Sequence, residues 1–150
     1  MAQDMAAAGA PRAPKGTKRT LARGVLVFRW VSLGWMTIIA ATHPDGFTRP
    51  ELAWGSIGAA AAWTVWLTID RRRWGGWILW VDVALGAWLL VASGLVVERG
   101  TIIAGRPLLA SGYPLSPVFL WAVTRGLAGG LSAAAVLTVA VVISRLVNGV

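Results

Sequence analysis

The chain has 150 residues, 57% of them hydrophobic and only 13% charged, with ten tryptophans, eighteen glycines and no cysteine. Soluble domains carry about 25% charged residues, so the composition argues against a water-surrounded globule and for lipid as the main solvent. Without cysteine there are no disulfides, thiolate metal sites or cysteine nucleophiles. The net charge of +8 gathers at the ends of apolar runs, which fits membrane orientation better than a nucleic-acid partner.

Residues 1–23, "MAQDMAAAGAPRAPKGTKRTLAR", are rich in Ala, Gly, Pro and basic residues and have no apolar period. They read as a disordered cytoplasmic tail. The next run, 24–42, is the first predicted span. Arg29 within it, and the poor match of "IIAATHP" to a small-residue cleavage site, indicate a retained anchor rather than a signal peptide.

An all-α, polytopic transmembrane bundle is therefore expected, at about 20 residues per crossing. The second span is predicted at 52–69 and the third at 75–97. The remainder reads as two crossings, 108–124 and 127–146, turning at Arg125–Gly126, for five spans in all. The alternative has four spans, with one long helix after Pro117 and Arg125 held against protein.

The tail carries Arg12, Lys15, Lys18, Arg19 and Arg23, and the connection after the second span carries Arg71, Arg72 and Arg73. Positive loops stay inside. The amino terminus is thus expected in the cytoplasm, in a multi-pass plasma-membrane protein. Trp63, Trp66, Trp74, Trp77 and Trp80 cluster near the inner ends of the second and third spans, as interfacial indoles do. Trp35 and Trp88 are expected to pack between helices.

One carboxylate, Asp82, lies about 10 Å into the third helix, and Arg29 lies at about 9 Å in the first, counting helical rise from the inner ends. A lone ionised group in the bilayer interior costs about 2.5–3.5 kcal/mol on insertion scales. An intramembrane pair of Arg29 with Asp82 relieves that cost, with Gly75, Asp82, Gly86 and Ser93 facing inward. The pair either fixes helix register or forms a polarisable element that a signal or proton resets. The competing arrangement has Arg29 snorkelling to the headgroups without a partner. Gly55/Ala59, Gly58/Ala62 and Gly126/Gly130 stand four apart, a spacing that permits close packing within the chain or, less readily, a dimer face.

The single histidine, His43, and Asp45 lie in the predicted outer connection "THPDGF". Tyr113 lies in the irregular stretch "ERGTIIAGRPLLASGYPLSP", where it is expected to rest at the outer interface. His43, Asp45 and Tyr113 form a possible sensing loop, with His43 offering titration near neutral pH. No phosphate loop, metal cluster or nucleophile motif is present in the sequence, so no catalytic, cofactor or metal residue is assigned.

The segments "VLVFRWVSLGWM", "AWTVWLTIDRRR", "WVDVALGAWLL" and "PVFLWAVTRGLAGGLSAAAVL", spread over residues 21–147, resemble the membrane input domain of actinobacterial MacS-type sensor histidine kinases. The resemblance implies a multi-spanning sensor followed by a cytoplasmic helix with a phosphoacceptor histidine and an ATP-binding domain. It also implies homodimerisation, and contact with a response regulator only through that kinase core. The present sequence lacks these parts, so on this reading it is a truncated, amino-terminal piece of a two-component sensor. His43 lies in the wrong compartment and context to be the phosphoacceptor. The rival reading is a small self-contained membrane protein, such as a transporter subunit or assembly factor.

Overall fold

The computed structural model describes residues 15–70, 76–96 and 112–148. Its regular elements are all helical: α1 (Lys15–Thr42), a short 3-10 turn (Pro44–Gly46), α2 (Pro50–Ile69), α3 (Trp77–Val96) and α4 (Leu115–Asn148). Four of these helices are long and apolar enough to cross a membrane: Thr20–Thr42, Pro50–Ile69, Trp77–Val96 and Leu115–Leu146. The outer surface is greasy as well as the core. Ile69 and Leu127 are each 79% exposed, and Val31, Leu131 and Leu146 are also exposed. An apolar exterior of this extent belongs to a multi-pass membrane protein.

Helix α1 begins at Lys15, nine residues before the predicted start at 24, so residues 15–23 are helix and not tail. Pro14 is the last proline before it, and the Lys, Arg, Leu and Ala that follow are good helix formers. Residues 1–14 lie outside the described residues. Helix α2 starts with Pro50 in its first turn, where the missing N–H costs nothing. Thr48 N–H donates to Val96 O at 2.9 Å, which ties the α1–α2 connection to the far end of α3. The start of α1, the end of α2 and the start of α3 therefore share one end of the bundle, here the basic end. His43 marks the other.

Helix α4 departs most from a simple rod. Gly126 has φ 74° and ψ −167°, a conformation reserved for glycine, and the helix folds back there. A Cβ built on Gly130 would meet Ala122 Cβ at 3.0 Å and Val118 O at 3.6 Å. On a straight helix those residues would be about 12 and 18 Å apart along the axis. Residues 115–125 and 127–148 are thus two antiparallel arms, closely packed because Gly129 and Gly130 carry no side chains. The turn at Arg125–Gly126 stands where the sequence placed it. Arg125 is exposed and lies 4.7 Å from the Trp121 ring, so the continuous helix with a buried Arg125 is not adopted.

The first arm, however, is not a full crossing. At helical rise, residues 115–125 span about 16 Å, roughly half a hydrocarbon core. Its start lies deep in the bundle. A Cβ on Gly86 would touch Pro117 Cγ at 3.2 Å and Pro114 Cα at 3.7 Å, and one on Gly112 would meet Ser32 Oγ at 3.1 Å. Gly86 is nine residues into α3, about 14 Å from its basic end. The first arm runs from that level to the basic end, where Trp121 Nε1 donates to Leu79 O at 2.9 Å. The predicted span at 108–124 is therefore replaced by a half-length helix from Leu115; residues 108–111 lie outside the described residues. Pro114 and Pro117 confine the helix start, and Pro117 is tolerated in its first turn.

Three apolar clusters fill the interior among the described residues, the smallest being Leu26, Leu67 and Ile78 near the basic end. Leu33, Met36, Ala53, Ile57, Ala60, Leu89, Val96 and Tyr113 pack together toward the His43 end. Leu79, Val83, Leu120, Trp121, Ala133 and Leu137 join α3 to both arms of α4. The predicted inward face of α3 is seen at Asp82, Gly86 and Ser93, all buried, while Gly75 lies outside the described residues. Trp35 and Trp88 are 51% and 47% exposed, so they point outward and do not pack between helices as expected.

Candidate functional site

Arg29 and Asp82 meet in the interior, their side chains 1% and 0% exposed. Helix α1 supplies Arg29 and α3 supplies Asp82, and Arg29 Nη2 donates to both carboxylate oxygens. Full burial excludes a snorkelling Arg29. A buried ion pair is held against a desolvation cost of several kcal/mol per ion, so it needs further hydrogen bonds to persist. Asp82 has one: Trp63 Nε1 donates to Oδ1 at 2.8 Å. Three helices thus converge on one carboxylate.

Tyr113 forms the floor of this centre. Its ring centroid lies 5.4 Å from the Arg29 guanidinium carbon, within cation–π range. Its hydroxyl lies 2.9 Å from Thr64 Oγ1 and donates to Ala60 O at 3.2 Å, and Thr64 Oγ1 also donates to Ala60 O, at 2.7 Å. Tyr113 is fully buried and so does not rest at an outer interface as expected from the sequence. The reason is the chain path: the non-helical residues 112–114 reach the middle of the bundle, where the phenol finds polar partners on α2.

The guanidinium is only partly used. Arg29 Nε and Nη1 have no hydrogen-bond partner among the described residues, and Ser116 Oγ, in the first turn of α4, is buried in the same state. Ser116 lies between Pro114 and Pro117, the two prolines that touch Gly86, one turn from Asp82.

The proposed sensing loop does not assemble. His43 and Asp45 are exposed around the 3-10 turn, with His43 Nδ1 2.9 Å from Thr42 Oγ1. Tyr113 belongs instead with Arg29. Among the described residues, no group of three or more His, Asp, Glu or Cys side chains is placed to hold a metal. The chemistry this centre offers is binding, hydrogen bonding and charge rearrangement.

Sequence reasoning missed Trp63, Thr64 and Ser116. For Trp63 a signal existed: it lies six residues from the end of α2, about 9 Å by helical rise, the depth already assigned to Arg29 and Asp82. Trp66 stacks on Trp63 at 4.9 Å, and Trp77 follows at 6.0 Å from Trp66, so the Trp cluster at the basic end leads directly to the ion pair.

Comparison of the chain with protein-family models, with curated proteins and with solved structures finds no match.

Proposed function

We propose that this chain is a membrane-embedded signal-input domain of the kind that precedes a histidine kinase core, with its basic end in the cytoplasm. The observation that carries the reading is the buried Arg29–Asp82 pair, joined from a third helix by Trp63. Intramembrane ionisable groups mark functional sites by default. A pair held between α1 and α3, with donors to spare, has alternative partnerings, and a change of partner shifts one helix against the other. The resemblance of residues 21–147 to MacS-type input domains supports the same reading, as does the concentration of basic residues at one end.

The test is a fusion of this chain to a histidine kinase core. Alanine at Arg29 or Asp82 is expected to move basal autophosphorylation by several-fold in membranes, with the fused protein still inserted. Unchanged autophosphorylation in both variants counts against the reading.

One observation favours a second reading, a small transporter-like protein. Interrupted helices that begin at mid-membrane build substrate sites in transporters, and the first arm of α4 begins at that depth beside Arg29. Solute or proton flux in liposomes holding this chain alone, abolished by Asp82→Asn, would favour it over the sensor.

A further inference from the structure

The Arg29 guanidinium is more than a counter-ion. It carries five N–H bonds, and Nη2 alone serves Asp82. Nε and Nη1 hold the other three, buried and unpartnered among the described residues. An unmet donor on a charged group is costly in a low-dielectric interior, so these three N–H bonds call for an acceptor. We propose that the free edge of Arg29, beside Tyr113, binds an uncharged, lipid-soluble molecule through a carbonyl oxygen.

Charge decides against an anion. Arg29 and Asp82 are the buried charged residues of the described bundle and they cancel. A second anion would leave a net negative charge in the interior, whereas a neutral acceptor satisfies the donors at no such cost. Depth decides the route. Asp82 lies five residues into α3, about 8 Å from its start, and Arg29 lies about 20 Å from the other end of α1. At that level the surroundings are hydrocarbon and aromatic rings, so the acceptor arrives through the bilayer. Ser116 Oγ, in the first turn of α4, and Ser56 Oγ, on α2, are likewise buried without a partner among the described residues. Two sources carry this chemistry, the ester carbonyl of a glycerolipid and the ring carbonyl of a quinone.

The proposal rests on the polar centre lying within a bilayer, as in the reading above. It does not depend on a kinase: binding that persists while a kinase fusion fails to respond sinks the sensor and leaves the site. The full chain is reconstituted in nanodiscs of ether-linked dialkyl lipid, which has no ester carbonyl, and titrated with decylubiquinone or with ester-linked diacyl lipid. The readout is the Arg29 Nε–H resonance in protein labelled with 15N-arginine. A saturable shift with quinone, with ester lipid, or with both is expected and identifies the source. Arg29→Lys keeps a cation for Asp82 but lacks the surplus donors. With binding followed in both proteins on the Trp63 indole N–H resonance, it is expected to bind about tenfold more weakly or worse, a loss equivalent to about one hydrogen bond. A resonance that neither molecule moves, the donors then being met by water, overturns the proposal. So does equal affinity in Arg29→Lys. Should that variant not fold, a photoactivatable quinone and a photoactivatable ester lipid decide on the unmodified chain: labelling of segments holding Arg29 or Tyr113 by either supports the site, and labelling by both confined to lipid-facing residues overturns it.

Discussion

Trp63 Nε1 donates a 2.8 Å hydrogen bond to Asp82 Oδ1, so the carboxylate that pairs with Arg29 on α1 is also held by α2. The indole is half-buried, and the rest of its ring continues into the Trp66 and Trp77 stack. Trp63→Phe keeps most of that apolar area and removes the donor. A loss of about 1.5–3 kcal/mol is expected for a hydrogen bond to a charged group, measured by denaturant unfolding in detergent micelles.

Breaking the ion pair from one side costs more. Asp82→Ala leaves Arg29 charged and unpaired in the interior, a change of about 3–5 kcal/mol. Arg29→Met with Asp82→Leu removes both charges and is expected to recover much of that loss. Thermal unfolding of the three proteins checks it, and a double variant no better than the single would show that the two residues are not coupled.

The exchanged pair, Arg29→Asp with Asp82→Arg, tests the same coupling without discarding polarity. It is expected to insert and fold better than either single exchange, measured as monodisperse yield after detergent extraction.

The fold-back of α4 predicts a specific cross-link. The sequence has no cysteine, so Val118→Cys with Gly130→Cys places thiols only where they are wanted. Val118 O lies 3.6 Å from the Cβ position of Gly130, and an oxidant is expected to form an intramolecular disulfide. A straight helix separates the two by about 18 Å and forms none. Gly126→Ala forces a side chain into a glycine-only conformation, so it is expected to cost about 1–3 kcal/mol and to lower the yield of that disulfide.

Arg125 lies in the turn between the arms, at the same end as the start of α1. With the basic end inside, Arg125→Cys is expected to resist an impermeant thiol reagent in intact cells, and Asp45→Cys to react with it.

The ion pair was legible in the sequence because two numbers located it: the cost of a lone charge in lipid, and the rise per residue that put Arg29 and Asp82 at one depth. Gly126 was legible as a turn beside Arg125. Tyr113 was not, because its depth depends on a chain path that brings a non-helical segment back into the bundle, and proline and glycine signal only that the segment is irregular. The outward tilt of Trp35 and Trp88 was hidden for a related reason. In a lipid-facing bundle both surfaces of a helix are apolar, so hydrophobicity does not separate core from exterior; α2 shows this, with Gly55 and Gly58 open on one side and Ala53 and Ala60 buried on the other.

The half-length arm also makes the helix count change along the bundle. Among the described residues, five helical rods pass through the half near the basic end and four through the half near His43. The Arg29–Asp82 pair therefore lies close to the level at which the fifth rod begins, where a shift of that rod's start would bear directly on the carboxylate.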